Sequence, residues 1–600
     1  VYTTQLFSQN KETYLNTYNY FEANIIKGLK FRQNVGFSLA YGKRDEYIPI
    51  VISLADNGKA QVNISSSNGL LSESILSYDH SLNKHSFGVT VGAVYEKWVS
   101  ESRNNSVTNF PTDVFLTNNF SAATGIPFIQ NGKGESSLAS MLGRLNYNFD
   151  GRFLATVSFR GDGSSKFSKG NKWAYFPSAA LAWVISKENF LRESKVVDEL
   201  KLRSSYGNTG NQAIGSYQTQ HKLIPALYPM GGSLVSGFAD NQGAGPGNDD
   251  LKWETITQFD LGLDANLLGN RLGLTIDYYY KKTTDLLQSI VIPGSTGFLT
   301  KLVNSGSIQN RGLEIQLSGA PVRNGIFSWD VTATVSFNKN KILSLTEGVT
   351  EQFARALDHR ANNVPFIQKV GYPIGTLYGR VEQGIYRNEA EVRALPENAN
   401  LPDAAVKALI GEIHYADLNG DGLLNDLDRT IIGDVNPKYF FGLNNDFRYK
   451  RFDVNLFING VVGGDIINMN NSFINDIGAM YNTTREVYEN RWTPENWEHA
   501  TAPKSWVTYT RNFYTTRRFF ESGSYIRLRN VVLGYTVGVK KLNAIQKLRV
   551  YASATNILTI SKYKGFDPDV NAFGGSTRSG VDYSSYPTSK TVNLGVQVIF

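Results

Sequence analysis

Apolar and polar residues alternate strictly in long segments of the chain. Residues 327–338 carry six apolar side chains on one face and six polar side chains on the other. Residues 259–267 and 271–280 follow the same pattern. A period of two residues is typical of β-strands with one apolar face. About sixteen such segments can be marked, many of them longer than the roughly 5–6 residues that are usual in soluble sheets. The sequence therefore predicts an all-β protein.

The connections between these segments alternate in length. Short turns contain the Asp, Asn and Gly residues that supply the positive φ of tight hairpins; they are Asp150-Gly151, Gly269-Asn270, Arg323-Asn324-Gly325 and Tyr449-Lys450-Arg451. Long polar loops lie at the opposite strand ends, near 99–135, 208–250, 283–307, 343–373, 386–437, 462–523 and 561–589. This asymmetry is typical of a transmembrane antiparallel β-barrel, with short periplasmic turns and long extracellular loops.

Strand length and aromatic placement agree with a membrane barrel. About ten residues, tilted near 45°, cross a bilayer core of roughly 30 Å as a β-strand. Aromatic residues cluster near strand ends, where interfacial girdles lie, at Tyr278–Tyr280, Tyr439–Phe441 and Phe519-Phe520. The alternation predicts that Leu261, Leu263, Leu274, Ile276, Val331, Val335, Leu594 and Val596 face lipid.

The last segment of the sequence is another alternating strand that ends on an aromatic residue. Val592, Leu594, Val596 and Val598 alternate with less apolar neighbours, and Phe600 follows. A final strand that ends in Phe resembles the signal read by the outer-membrane assembly machinery. We therefore expect Phe600 to matter for assembly more than for transport.

Composition narrows the possible functions. The chain has no cysteine, which excludes disulfides, thiolate zinc sites and thiol catalysis. A net charge of +7 over 600 residues is small and does not indicate nucleic-acid binding. No stretch approaches 18 apolar residues, so no transmembrane helix is predicted. The sequence starts at Val1 without a leader, and we expect it to be the carboxy-terminal part of a longer protein.

No catalytic motif is recognisable. The six histidines are scattered, and only His80 and His85 lie close in sequence. Their spacing matches no helical metal pair, and the sequence has no HExxH, GxSxG, Walker A or GxGxxG pattern. We therefore predict that the protein is not an enzyme.

One stretch has the spacing of a calcium loop. Asp417, Asn419, Asp421, Asn425 and Asp428 place side-chain oxygens at positions 1, 3, 5, 9 and 12, and Gly422 at position 6 permits a sharp turn. This pattern fits an EF-hand-like Ca²⁺ loop in which Leu423 contributes its carbonyl group. The closing residue is Asp, whose reach is shorter than that of the usual Glu. The alternative is an Asn/Asp/Gly-rich turn that satisfies its own backbone.

A tryptophan-rich segment lies in one of the long loops. Residues Arg485–Trp497 predict a short helix, and Trp506 follows. These aromatic residues could form a docking or ligand-stacking surface. The more conservative interpretation is that they fold the loop onto the barrel.

Several motifs, in order along nearly the whole chain, resemble the SusC/RagA family of TonB-dependent outer-membrane transporters. Any one of the motifs is weak, but the ordered set is specific. They are Tyr206–Gln212, Leu251–Glu254 with Gln258, Ile308–Ile315, the Asp417–Asp428 loop, Asn436–Tyr439, Tyr525–Val531, Thr555–Leu558 with Tyr563–Pro568, and the terminal Phe600.

The resemblance implies a 22-stranded barrel that is closed by an amino-terminal plug. It also implies a SusD-like surface lipoprotein as a lid, and import of oligosaccharides or peptides powered by TonB. The plug, the TonB box and the first several strands are not in this sequence. Because about sixteen strands cannot close such a barrel without open edges in lipid, we expect the remainder in another chain or in residues outside this sequence.

The leading hypothesis is therefore active nutrient import, with residues 1–600 as a partial barrel embedded in outer-membrane lipid. Residues 386–437 are expected to be an extracellular insertion that contains the calcium loop, and 462–523 a second long extracellular loop. The wetted wall is predicted to include Asp260, Asp264, Asn266, Arg144 and Arg160. The alternative is a surface adhesin or scaffold that binds a partner through its loops without transport. The loop aromatics suit sugars and peptides equally.

Overall fold

Antiparallel strands dominate the structure. The computed structural model describes residues 6–240, 245–353, 365–474, 482–505, 515–538, 545–575 and 577–600. The strands of these residues are β1 Phe7–Ile26, β2 Leu29–Ile48, β3 Lys59–Leu82, β4 His85–Thr108, β5 Phe128–Phe149, β6 Phe153–Ser164, β7 Trp173–Val184, β8 Val197–Asn211, β9 Leu223–Met230, β10 Ser233–Asp240, β11 Glu254–Leu267, β12 Leu272–Thr284, β13 Leu287–Val291, β14 Thr300–Asn304, β15 Ser307–Arg323, β16 Phe327–Ser344, β17 Glu351–Phe353, β18 Phe366–Lys369, β19 Thr376–Arg380, β20 Glu382–Ile385, β21 Ile413–Tyr415, β22 Arg429–Asp434, β23 Tyr439–Tyr449, β24 Phe452–Val462, β25 Asp465–Asn468, β26 Phe520–Ser522, β27 Tyr525–Val537, β28 Lys547–Ser561, β29 Val581–Asp582 and β30 Thr591–Ile599.

Seventeen of these strands belong to one antiparallel sheet, which confirms the predicted all-β class. The predicted segments 259–267, 271–280 and 327–338 fall on β11, β12 and β16, apart from Arg271 just before β12. The remaining strands form small sheets within the connections. These are β9 with β10, β13 with β14, β17–β18–β19–β22, β20 with β21, and β26–β25–β29.

Helices are few and short. The α-helices are α1 Glu389–Arg393, α2 Pro396–Ala399, α3 Asp403–Leu409, α4 Asn470–Ile474 and α5 Arg485–Asn490. Short 3-10 helices occupy Asp113–Phe115, Phe120–Ala122, Ile185–Lys187, Gly294–Thr296, Asp426–Asp428 and Arg517–Phe519. Within the described ranges, no helix has the length and apolar character needed to cross a bilayer.

The chain divides into two compact units. The first comprises Val1–Lys187, Arg203–Phe259 and Thr283–Ser305. In this unit β1 to β7 each pair with the next strand along the chain. Because consecutive antiparallel strands reverse direction, alternate connections lie at the same end. The connections at one end are short, 27–28, 83–84 and 150–152, and those at the other are longer, 49–58, 109–127 and 165–172.

The second unit comprises Glu188–Leu202, Asp260–Lys282 and Gly306–Phe600. Here β15, β16, β23, β24, β27, β28 and β30 pair in that order, again antiparallel. The turns 324–326 and 450–451 lie at one end, and the connections 345–438, 463–524 and 562–590 lie at the other. The predicted insertion 386–437 and loop 462–523 fall within the first two of these connections, apart from Val462 at the end of β24.

The four short turns that the sequence predicts all join consecutive long strands. Three of them have backbones in the left-handed region, with φ of 55° at Asp150, 58° at Asn270 and 54° at Lys450. The turn Arg323-Asn324-Gly325 has no positive φ, so the expectation fails there. Asp and Asn adopt this conformation more readily than most residues, whereas Lys does not. The tight reversal at 450–451 therefore places Lys450 in a strained conformation.

The buried apolar residues gather in the connections and at their junctions with the strands. One cluster contains Phe366, Leu377, Ile432, Ile467 and Val581, all at most 7% exposed. By contrast, none of the eight side chains predicted to face lipid is buried; Leu594 is 85% exposed and Val596 63%. The protein does not bury these side chains of the apolar strand face, as expected for a face that contacts lipid in a transmembrane barrel.

Replacing Val331 on this apolar face with Arg tests its environment. We expect Val331→Arg to lower the free energy of unfolding by about 2–4 kcal/mol in lipid bilayers, because a cation would enter the hydrocarbon. The measurement is urea unfolding of the bilayer-inserted protein. The neighbouring Thr332→Arg, on the polar face, is the control and should cost much less. Equal losses for the two variants would contradict the assignment of the faces.

Candidate functional site

Hydrogen-bonded polar side chains line one face of the strands in the first unit. Asn34, 3% exposed, accepts from Nε of Arg32 at 2.9 Å and donates to Oε2 of Glu73 at 3.0 Å. The hydroxyl of Tyr18 donates to the same carboxylate at 3.2 Å, and the guanidinium of Arg32 lies 4.4 Å from the ring centroid of Tyr20. Arg32 and Glu73 both have hydrogen-bond partners, so this part of the polar face is held in place.

The residues predicted for the wetted wall lie on strands of both units, and they do not all have the same role. Arg160 is engaged, since its Nε donates to Oδ1 of Asp162 at 2.8 Å and its Nη2 to Oγ of Ser140 at 3.1 Å. Arg144 is exposed. In the second unit, Asn266 donates to Oε2 of Glu199 at 3.3 Å, and Asp260 and Asp264 also have partners.

An asparagine-rich ladder lines the polar strand face of the second unit. Asn455 donates to Oδ1 of both Asn444 and Asp446, at 2.8 and 2.9 Å. Asn444 donates to the other oxygen of Asp446 at 2.7 Å, and Asn530 donates to Asn455 at 3.4 Å. Amides both donate and accept, so they can link across strands without leaving a polar group unpaired. No motif in the sequence marks this network.

Ion pairs brace the long connections of the second unit. Glu382 on β20 accepts from Nη2 of Arg518 at 2.8 Å and from the hydroxyl of Thr516 at 2.6 Å. This contact joins the connections 345–438 and 463–524 across 136 residues of sequence. Its members carry no local motif, so sequence reasoning missed it.

A buried ion pair anchors the connection 562–590 to β27. Arg527, 1% exposed, donates to Oδ1 of Asp567 and, through Nε, to the hydroxyl of Thr559 at 3.0 Å. Asp567 also accepts from the backbone N–H of Asp569 at 2.9 Å and of Thr588 at 3.2 Å. One carboxylate therefore organises both ends of this connection.

The first half of the Asp417–Asp428 loop is a set of side-chain-capped turns. Asp417 accepts from the N–H groups of Gly420 and Gly422, at 2.7 and 2.8 Å. Asn419 donates to Oδ2 of Asp421 at 2.8 Å, and Asp421 accepts from the N–H of Leu423 at 2.8 Å. These bonds lower the pKa of Asp421, the bond from Asn419 most strongly, so this carboxylate stays ionised.

The second half of the loop closes it on itself. Asp428 is fully buried and accepts from the N–H of Asn425 at 2.8 Å and from the N–H of Leu418 at 2.9 Å. The side chain of Asn425 accepts from the N–H of Leu427 at 2.8 Å, which completes a capping box. Residues 2 and 12 of the motif are therefore joined directly.

The donor set is compatible with a hard cation such as Ca²⁺. Each carboxylate oxygen of Asp417 accepts one N–H and keeps a second lone pair. Over the described part of the chain, no three His, Cys, Asp or Glu side chains converge as metal ligands. A calcium site here would thus depend on Asn419 and on the carbonyl of Leu423 as well as on carboxylates. Occupation by Ca²⁺ stays a prediction.

The tryptophan-rich segment begins with a short helix, as expected. Thr484 caps α5 by accepting from the N–H of Val487 at 3.3 Å. The ring of Trp492 packs closely against Gly411. A Cβ atom on Gly411 would lie only 2.8 Å from the ring. Trp492 therefore packs against another connection, whereas the expectation was that the segment folds onto the barrel. Trp506 lies outside the described residues.

Known proteins match this architecture. A model described as "TonB dependent receptor-like, beta-barrel" matches residues 2–406. TonB-dependent receptor P3 of Formosa agariphila is 34% identical over an alignment of 611 residues that covers the whole chain. The chain belongs to the TonB-dependent receptor β-barrel family. It is therefore an outer-membrane protein, with its apolar strand face toward lipid.

Another protein similar to the chain is TonB-dependent receptor SusC of Bacteroides thetaiotaomicron, 32% identical over 483 residues. That alignment covers 78% of this chain and 44% of SusC, and the match to receptor P3 covers 59% of that protein. The chain thus spans a little over half the length of receptor P3. The structure titled "Structure of the RagAB peptide transporter" superposes with a TM-score of 0.84 over 99% of this chain and 63% of that chain at 24% identity. This likeness concerns the fold alone.

Calcium binding can be separated from turn formation with an isosteric substitution. Asp421→Asn keeps an oxygen for the N–H of Leu423 but removes one charge. Adding Ca²⁺ should slow hydrogen exchange of the amides in 417–428 of the wild type. The variant should need at least about tenfold more Ca²⁺ for the same slowing. Asp426→Asn, at an exposed non-ligand position, is the control. Identical exchange of the wild type with and without Ca²⁺ would contradict the assignment.

The Arg527 contact predicts a large effect of a single truncation. Arg527→Met leaves Asp567 buried without its counter-ion, which should cost about 3–5 kcal/mol of local stability. The measurement is protease cleavage and hydrogen exchange across 562–590. Arg527→Met/Asp567→Asn should recover part of the loss, because no buried charge remains and the amide oxygen can still accept a backbone N–H of this connection. Arg485→Met breaks the exposed pair with Glu489 and serves as the control, expected within about 0.5 kcal/mol.

Proposed function

We propose that this TonB-dependent receptor imports nutrient oligomers, either oligosaccharides or peptides, across the outer membrane. The observation that carries the proposal is the 32% identity with SusC over 78% of the chain. TonB would supply energy, and a SusD-like surface lipoprotein would cover the extracellular loops. Each of these features is inferred from the family, because the chain spans about half of its relatives.

The strand faces support passage of a polar cargo. Networks around Glu73 in the first unit and Asp446 in the second present paired polar groups. Paired groups do not bind a hydroxylated or amide-rich cargo tightly, since their own hydrogen bonds compete. Such a strand face is better suited to passage of the cargo than to tight binding.

The long connections of the second unit support a firm external platform. They have their own buried core, their own small sheets and the pairs Glu382–Arg518 and Arg527–Asp567. A platform held by buried contacts presents a defined surface at low entropic cost. A lipoprotein lid would need such a surface to bind the loops in the same orientation each time.

Transport is tested by growth and uptake in a strain that lacks the gene. The strain complemented with the full-length protein should take up labelled oligosaccharides or peptides from a mixed panel, and loss of TonB should abolish the uptake. Arg527→Met should reduce uptake at normal surface levels, whereas Arg485→Met should not. If uptake of every compound in the panel is independent of the protein, but attachment to a surface or partner requires it, the adhesin or scaffold hypothesis replaces transport.

The lid is tested separately by purification from outer membranes. A tag on the receptor should recover a surface lipoprotein in about equal amount. Loosening the connection 562–590 with Arg527→Met should reduce that recovery. Recovery of the receptor alone from native membranes in mild detergent would contradict a stable lid.

A further inference from the structure

The apolar strand face of the second unit ends in a group of cations near the long connections. On β12 and β16, every second residue beyond Ile276 and Val335 is first aromatic and then basic. Because side chains alternate between the two faces of a strand, these residues lie on the face that contacts lipid. A plug that fills the lumen would therefore not cover them. The cations on this face are Lys282, Arg311, Lys339 and Lys341, all of them exposed, and we call them the cation group.

The strand register brings the members of the cation group together. Between β15 and β16, Arg311 pairs with Lys339, and Gln309 pairs with Lys341. On the other side of β15, the hydroxyl of Tyr280 donates to Oε1 of Gln309 at 3.4 Å, so β12 lies beside the same positions. Paired residues of an antiparallel ladder have Cα atoms about 4.5–5.5 Å apart. One anion can therefore contact both Arg311 and Lys339.

No carboxylate of the described residues neutralises the cation group. The outward positions of β12, β15 and β16 contain no Asp or Glu, and no ion pair joins the four cations to a described side chain. Glu314 lies on the opposite face, where it accepts from the hydroxyl of Ser336 at 3.3 Å. Like charges at paired positions destabilise a sheet. An anion between Arg311 and Lys339 would remove this repulsion.

The first unit balances its outward charges differently. On β4 and β5, Nζ of Lys97 lies 2.7 Å from Oε1 of Glu135, and Nζ of Lys133 lies 3.4 Å from Oε1 of Glu101. These residues share the outward face with the exposed Tyr95 by strand alternation, and they too lie toward the long connections. Their counter-ions belong to the protein itself. The cation group of the second unit has none, so its counter-ion has to come from the surroundings.

The length of the apolar band places the cation group at the level of lipid headgroups. Aromatic residues mark both ends of the band on β16: Phe327 pairs with Tyr449 at one end, and Phe337 lies beside Tyr439 at the other, with ring centroids 5.5 Å apart. The rise from Phe327 to Phe337 is about 33 Å along the strand, or about 25 Å along the membrane normal at a tilt near 40°. This height matches the apolar band of outer-membrane barrels. The next outward residue, Lys339, therefore lies just beyond the hydrocarbon, on the extracellular side.

The order of side chains along the strands is complementary to an anionic lipid. Apolar, aromatic and basic residues follow one another from the band outward, as do the tails, the interface and the headgroup of such a lipid. We propose that the cation group binds the phosphate of a glycolipid in the outer leaflet, whose acyl chains lie along the apolar band. A phosphate has enough acceptor oxygens to bind Arg311 and Lys339 together. A water-borne anion would use the cations but not the aromatic and apolar residues next to them.

The test uses the delipidated full-length protein in detergent and two probes, phosphorylated lipid A and dephosphorylated lipid A. Native mass spectrometry should show saturable binding of the phosphorylated lipid and about tenfold weaker binding of the other. Arg311→Gln/Lys339→Gln should weaken binding of the phosphorylated lipid about tenfold and leave binding of the dephosphorylated lipid unchanged, because only the headgroup contact is lost. The charge-conserving Arg311→Lys/Lys339→Arg should retain binding.

The matched control removes the same charge from the outward face of the first unit. Lys97→Gln/Lys133→Gln replaces two cations that carboxylates of the protein already neutralise, so binding should be unchanged. Heat modifiability on gels checks that each variant is folded. An equal loss in both double variants, or equal binding by the wild type and Arg311→Gln/Lys339→Gln, would overturn the inference.

Two other occupants of the cation group would give distinct results. Displacement of lipid A by inorganic phosphate would indicate a site for a free anion. A wild-type dimer that Arg311→Gln/Lys339→Gln dissociates without weakening lipid A binding would indicate a contact between copies of the protein. Either result would overturn the inference. Because uptake is not measured, failure here leaves the transport proposal standing.

Discussion

Every backbone N–H and C=O group in lipid needs a partner within the protein, because no water is there to supply one. The strand ladder meets this constraint. β3 and β4 pair without a register shift from Lys59 opposite Thr108 to Leu82 opposite His85. An unbroken register keeps alternate side chains on one face, so the apolar face can meet lipid. The apolar core is thereby displaced from the strands into the connections.

Features that depend on neighbours in sequence were predictable. Alternation located the segments that became β11, β12 and β16, and the Asp-Gly and Asn-Gly steps located turns such as that at Asp150. Both signals are local, since a strand repeats every two residues and a turn spans four. Contacts between distant residues left no such signal. Glu382 and Arg518 lie 136 residues apart, and nothing near either one marks the other.

The Asp417–Asp428 loop shows where prediction from sequence stops for a different reason. The motif located oxygens that do cluster within one short loop, down to the closing contact of Asp428 with the N–H of Leu418. A capped turn and a cation site use the same oxygens at the same spacing. Sequence therefore predicts the arrangement of atoms and leaves the occupant open.

The Arg527–Asp567 pair has a mechanical consequence. Asp567 holds the backbone of Asp569 and Thr588, and Arg527 belongs to a strand paired on both sides. A force that pulls on the connection 562–590 thus loads this ion pair as well as the chain ends at β28 and β30. The ladder loaded in shear shares the force among many hydrogen bonds, whereas this junction does not. Under tension the Arg527–Asp567 contact should break first, and the strands should stay paired.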